Sequence, residues 1–296
     1  MFGIIQNHTI FACQINQIME IYNKATFKTA QLITRCYSTS FYSAVSMLEK
    51  DMRSAVFGIY GFVRLADEIV DTFHDYNKEK LLDKLESDLK EAIAEKISTN
   101  PVLHAFQLVV NEYDIPYEII DAFMLSMKAD LNKKSYTNKD ETEQYIYGSA
   151  NVVGLMCLKI FTRGNKKLYE ELKSPAMKLG SAFQKVNFLR DIKTDMHDLQ
   201  RTYFCNCRLD SFDEQAKNMI VDEVKAEFQE AYRGIRSLPG RSRLAVLTAY
   251  LYYSALLKKI ENTPSSEILH LRVRISNFRK TLLLLKAMFM YKFKMI

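Results

Sequence analysis

Almost the whole chain is written in the helical period. In Leu81–Ile97, LLDKLESDLKEAIAEKI, apolar residues recur at steps of three and four with charges between them, which predicts an amphipathic surface helix. Ala55–Asp71, AVFGIYGFVRLADEIVD, is mostly apolar until its last third and predicts a helix with little exposed surface. Asn100-Pro101 and Ile115-Pro116 mark helix starts, the second opening a helix from Pro116 to Asp130. Asn132–Gln144 is polar enough to predict a loop. Tyr145–Phe161 is apolar on nearly every side, the pattern of a helix buried in a bundle, and Arg163-Gly164-Asn165 closes it. Ser174-Pro175 precedes a predicted helix Gly180–Leu199. Beyond Pro239-Gly240, Leu244–Ile260 and Glu267–Tyr291 predict two more helices with Pro264 between them. With 9 glycines, 5 prolines and no proline before Pro101, the fold class predicted is all-α. No repeat or Gly/Ser-rich linker interrupts residues 1–296, so a single helical domain is expected.

Composition narrows the function. Hydrophobic residues make up 48% of the 296, ample for a sizeable core. A net charge of +6 suits anionic substrates or an anionic membrane surface, while the aromatics are not interleaved with Lys/Arg as a nucleic-acid stacking stripe requires. Five scattered cysteines form no disulfide framework, and Cys205, Cys207 and His197 match no common zinc spacing; a reducing cytosol is the expected compartment. The first 21 residues are too polar for a signal peptide, and no stretch reaches the roughly 20 apolar residues of a spanning helix. The apolar run Thr281–Tyr291, with Arg279, Lys280, Lys286, Lys292 and Lys294 around it, fits either a core helix with a basic tail or peripheral contact with the inner face of a membrane.

Candidate chemistry lies in carboxylates at helical spacing. Asn187, Asp191 and Asp195 stand four apart and stack along one helix flank, where like charges cost a few tenths of a kcal/mol per pair unless a cation lies between them. Oxygen ligands imply a hard cation, and magnesium usually completes its shell with water and substrate phosphates. Lys185, Arg190, Lys193 and Arg201 add positive charge nearby. Taken alone, this stretch reads equally well as a solvated charged face. A second copy of the pattern, Asp67 and Asp71 in a mostly apolar helix, favours the cation, because unpaired carboxylates are costly to bury. Gly148, Ser149, Ala150 and Gly154 form a small-residue face that suits close helix packing or a bound ligand.

Five segments in sequence order, YSTSF (Tyr37–Phe41), RLADEIVD (Arg64–Asp71), YIYGSANVVG (Tyr145–Gly154), QKVNFLRDIKTD (Gln184–Asp195) and RTYF (Arg201–Phe204), resemble the squalene and phytoene synthases. That family joins two prenyl diphosphates head to head, and the likeness runs roughly from Arg35 to Arg279. It implies a helical bundle of the isoprenoid synthase type with a central prenyl cavity. It also implies two or three magnesium ions held by Asp67, Asp71, Asn187, Asp191 and Asp195. Ser38, Arg64, Arg190, Arg201 and Tyr253 fall at diphosphate-side positions of the family, Gln184 at the cavity wall, Tyr145 at a tyrosine near the diphosphates that is a candidate catalytic base, and Ala150, Val153 and Gly154 along the prenyl tunnel. Tyr37, Asn151 and Cys205 depart from residues common in relatives, and none of the three is a metal ligand.

The activity so implied is condensation of two geranylgeranyl diphosphates to phytoene through a cyclopropylcarbinyl diphosphate, as in bacterial carotenoid synthesis. The runner-up is a squalene or dehydrosqualene synthase using farnesyl diphosphate, with NADPH needed only for squalene. A helical scaffold without activity would tolerate loss of the carboxylates, which this chain retains.

Overall fold

The computed structural model describes residues 2–133, 135–136, 138–197 and 212–296, the stretches 2–18 and 194–197 as helical backbone alone. RTYF, with Arg201, and both Cys205 and Cys207 lie outside the described residues. Every described element is helical: α1 Phe2–Tyr37, α2 Thr39–Val45, α3 Lys50–Asp71, α4 Lys78–Glu95, α5 Pro101–Glu112, α6 Tyr117–Asn132, α7 Lys139–Ile146, a π turn Tyr147–Asn151, α8 Val152–Thr162, α9 Lys166–His197, α10 Glu214–Ser237, α11 Gly240–Glu261, the single turn α12 Ser265–Ile268, and α13 Asn277–Lys292.

Local chemistry sets most boundaries. Asn77, Asn100, Asn138 and Asp213 each accept a hydrogen bond from a first-turn N–H of the helix they precede, satisfying donors that have no partner inside the helix. Lys96 and Arg163 end α4 and α8 in the left-handed conformation. The amphipathic reading of Leu81–Ile97 holds: Leu82, Leu85, Leu89 and Ala92 of α4 are buried.

Three expectations are corrected. The stretch read as a loop to Gln144 already turns helical at Lys139, where Asn138 caps α7. Pro175 does not separate two helices but lies inside α9. Its ring packs on Gly234 of α10, where an added Cβ would come within 2.3 Å of the Pro175 Cβ, so tertiary contact outweighs the helix-breaking tendency. Finally, the helix read as Glu267–Tyr291 is split. Residues 269–276 leave the helical path, and Ser276 starts α13 afresh by accepting from the Arg279 N–H.

The larger core lies among α3, α5, α6 and α8, where Phe62 stacks on Phe106 at 4.2 Å between ring centroids. Emptying such a site costs roughly 3–5 kcal/mol. A second core joins α9, α10 and α11. α1 is tied on by Tyr22, which donates to the Ser98 carbonyl at 2.7 Å, and by Asn23, 2.8 Å from the ring of the buried His104. Against the expectation of no such stretch, the run Lys139–Thr162 is by length and composition apolar enough to cross a bilayer, though 56% of its most apolar window is buried in the bundle.

Candidate active site

Between these two cores lies a cavity of about 790 Å³. α3 brings Asp67 and Asp71 to it from its C-terminal end, and α9 brings Gln184, Asn187, Arg190 and Asp191. On each helix the pairs at four-residue spacing share one flank, which is why both acidic sets face inward. Ser38, Tyr145, Ala150, Val153, Gly154 and Tyr253, also singled out from sequence, line the same cavity. Phe41, Val56, Leu158, Phe183 and Leu256 give the rest of the wall an apolar surface suited to hydrocarbon.

Polar side chains stand beside each acidic face. Ser38 caps α2 by accepting from the Phe41 N–H at 3.2 Å and hydrogen-bonds Tyr60. Burial pushes the Tyr60 hydroxyl up to about 12, with Arg64 opposing and the charge of Asp67 adding to the rise. Tyr253 donates to Asn187 Oδ1 at 3.2 Å and stacks on Phe183 with ring centroids 3.9 Å apart. Tyr145 donates to Asp130 at 2.7 Å.

Asp67 keeps some surface toward the cavity but sits deep in protein, and burial dominates its ionisation. Its carboxyl is pushed up to about 7, first by desolvation and then by the charge of Asp71, with Arg64 opposing and Asp130 adding to the rise. Two carboxylates that resist ionising together are a donor set short of positive charge. Among the described residues no three His, Cys, Asp or Glu side chains converge on one point. A cation here would therefore take one or two carboxylates from a face and fill its remaining positions with water and phosphate oxygens. That is how magnesium usually binds, and the residues fit it.

Positive charge gathers on the α9 side. Asp191 is paired with Arg190 and, at 2.7 Å, with Arg272. Burial lowers the Lys280 pKa, and the neighbouring Arg190 and Arg274 lower it further, so three cations gather at this end of the cavity. Arg274 and Lys280 line the cavity. The other cations go elsewhere. Arg64 pairs with Glu68 and lies over the Tyr37 ring at 4.3 Å, beside the lining rather than in it. Lys185 turns to α10, where it holds Glu223 and Glu227, each at 2.8 Å, and so fixes how α9 presents its acids. Lys193 is exposed, and the Asp195 side chain lies outside the described residues.

Sequence reasoning missed Tyr60, Asp130, Arg272, Arg274 and Lys280. Tyr60 carried a signal, standing seven residues before Asp67 and four before Arg64 on the same flank. Asp130 is only the end of a predicted helix in sequence, Lys280 belongs to the basic tail, and Arg272 and Arg274 fall inside the predicted helix Glu267–Tyr291.

An all-helical bundle encloses a hydrocarbon-suited cavity onto which two inward acidic flanks and a cationic cluster open. The squalene/phytoene synthase profile matches residues 34–279, and the chain belongs to that family. It is 27% identical over 242 residues to phytoene synthase 1 of Zea mays, a match covering 76% of this chain and 59% of that plastid protein. To the 4,4'-diapophytoene synthase of Staphylococcus haemolyticus it is 28% identical over 201 residues, 66% of each chain. The fold is similar to that of a dehydrosqualene synthase crystallised with a ligand, at a TM-score of 0.77 and 22% identity, covering 91% of this chain and 98% of the other.

Proposed function

We propose that residues 1–296 act as one helical domain that condenses two geranylgeranyl diphosphates head to head into phytoene, with magnesium as cofactor. The observation that carries the reading is the meeting of two inward acidic flanks and the Arg190, Arg274 and Lys280 cluster on one largely apolar cavity. Such a lining suits an amphiphile with a long apolar tail and a polyanionic head.

When bound, magnesium supplies the positive charge that draws diphosphate off an allylic carbon. Asp67 and Asp71 would hold it on the α3 side, Asn187 and Asp191 on the α9 side, with Asp195 next along the same helix. Arg190, Arg274 and Lys280 bind and orient the diphosphates. The apolar wall excludes water while the carbocation exists. In the first half-reaction the C–O bond of one substrate breaks with its electron pair leaving on diphosphate. The double bond of the second substrate attacks, and loss of one proton gives the cyclopropylcarbinyl diphosphate. Departure of the second diphosphate, rearrangement and loss of another proton give the hydrocarbon. A proton reaching the Tyr145 oxygen can be passed to Asp130, which already accepts the Tyr145 hydrogen. No reductant enters this sequence, and the site of action proposed is the cytoplasm.

The fifteen-carbon reading keeps the same site and differs in how much tail the cavity accepts; the diapophytoene synthase likeness supports keeping it as the alternative. The test is incubation with geranylgeranyl and farnesyl diphosphate, separately and in competition, with magnesium, with and without NADPH, and analysis of the hydrocarbon. Phytoene independent of NADPH is expected. Squalene or dehydrosqualene in place of phytoene would move the assignment to the fifteen-carbon substrate.

A further inference from the structure

α13 has two apolar faces where a surface helix needs one. Ala287 is fully buried, and with Met290 and Tyr291 it packs toward Ile235, Leu244 and Leu247 of α10 and α11. The opposite face is left in water. Phe278, Leu282, Leu285 and Phe289, with Phe293 at the C-terminal cap, are 49% to 74% exposed. They follow one another at steps of four, three, four and four, so at about 100° per residue they fall within one arc of roughly 80°. Phe289 and Phe293 extend this as a ring pair, 4.4 Å between centroids. Single exposed apolar residues are ordinary, whereas a continuous stripe of five marks an interaction surface.

Charge identifies what the surface meets. Residues 268–296 hold seven of the 41 basic residues and none of the 35 acidic ones, so outside this segment basic and acidic residues nearly balance and the net charge of +6 comes from it. The same helical period sets Arg279 and Lys286 along one edge of the stripe and Lys292 along the other, all three exposed. A second copy of this chain on the same face would bring these cations against their own equivalents, since a twofold interface pairs a patch with itself. An apolar stripe edged by cations matches a surface that is apolar beneath and anionic above.

We propose that the outer face of α13 docks this protein on an anionic lipid bilayer, Phe278, Leu282, Leu285, Phe289 and Phe293 entering the interface while Arg279, Lys286 and Lys292 engage lipid phosphates. Arg274, Asn277 and Lys280, immediately before and within the first turn of α13, line the cavity, so the docked helix also forms part of the cavity wall. The docking stands apart from the reaction proposed above, because it is measured on vesicles free of prenyl lipid.

The experiment is co-sedimentation of the full chain with vesicles of phosphatidylcholine alone and of phosphatidylcholine mixed with phosphatidylglycerol. The expected result is binding to the mixed vesicles that weakens as salt rises. Leu285→Ser with Phe289→Ser should abolish it. Arg279→Glu with Lys286→Glu and Lys292→Glu should lower it at least 100-fold, each cation contributing roughly fivefold near an anionic surface. All these side chains are exposed, and unchanged thermal melts will verify folding of the variants. Absence of binding to the mixed vesicles, or binding that neither set of changes weakens, overturns the proposal. So does a concentration-dependent dimer that Leu285→Ser dissociates while vesicles leave the protein unbound, because the stripe is then covered by a second copy.

Discussion

Tyr145 donates its phenolic hydrogen to Asp130 across 2.7 Å, linking a residue that opens the YIYGSANVVG segment to the far end of α6. Both are buried, and Tyr136 adds a longer contact to the same carboxylate at 3.5 Å. If this pair handles a proton of the reaction, Tyr145→Phe and Asp130→Asn will each lower kcat by about 100-fold or more, the usual scale of general acid–base work, with KM nearly unchanged. Steady-state kinetics separate this from a packing role, which would lower thermal stability by roughly 1 kcal/mol for the lost hydrogen bond and leave kcat close to that of the parent.

The Asp67 carboxyl, pushed up to about 7 from 3.8, sets opposite signs for stability and activity. Between those two pH values the folded protein holds a proton that the unfolded chain has released, so stability falls as pH rises through the window and stays lower above it. In metal-free protein Asp67→Asn is therefore expected to be stabilising by about 1–2 kcal/mol at pH 8 and nearly neutral near pH 4. The same change will abolish turnover. Calorimetry at the two pH values tests the first half; an Asn variant that melts lower at pH 8 than the parent would contradict it.

Chelation supplies an independent check on the cofactor. Exhaustive removal of divalent cations should stop turnover and leave the helical spectrum intact. Restoring magnesium together with inorganic diphosphate should raise the melting temperature by mass action, because both bind only the folded site. Undiminished turnover after chelation would remove magnesium from the mechanism.

Arg274 and Lys280 reach the cavity from the C-terminal segment. Replacing both by alanine will raise KM for the prenyl diphosphate by about tenfold or more, each charged hydrogen bond contributing roughly 1.5–3 kcal/mol, and will weaken inhibition by inorganic diphosphate in parallel. A loss confined to kcat would mean that these cations act after binding.

Gly154 faces the cavity on one side and α9 on the other, since an added Cβ would stand 3.2 Å from the Ala176 carbonyl oxygen. Gly154→Leu will therefore lower stability by about 1–3 kcal/mol as well as shorten the space for a tail. Ala150→Leu is the cleaner probe. Its expected effect is a larger loss of rate with the twenty-carbon than with the fifteen-carbon substrate, read as the ratio of kcat/KM; an unchanged ratio would mean that Ala150 does not bound the tail.

How far the sequence carried this reading depended on where the deciding forces lie. The helices and the two acidic flanks were legible because both rest on spacing within a single segment: Leu82, Leu85 and Leu89 declare α4, and Asp67 with Asp71 declares its flank. Pro175 misled because its tolerance inside α9 rests on Gly234, which lies on another helix. Arg272 and Lys280 read as surface charge because only the fold brings them to Asp191 and Arg190, more than 75 residues earlier in the chain. Asp130 was silent for the same reason, its partner Tyr145 lying beyond a polar segment that reads as a loop.

The π turn at Tyr147–Asn151 acts as a phase corrector. Tyr145 and Gly154 are nine residues apart, which in an unbroken α-helix is about two and a half turns, and would put them on opposite sides. A turn closed by the wider i to i+5 bond uses more residues to cover the same rotation, and over five residues it holds back roughly a quarter turn. The chain thereby brings both Tyr145 and Gly154 to one cavity within a single run of helix. Deleting one residue from this turn would restore regular winding and leave the two eight residues and about 80° apart, still on one side, whereas rewinding the turn as α-helix at its full length would put them on opposite sides without removing either side chain.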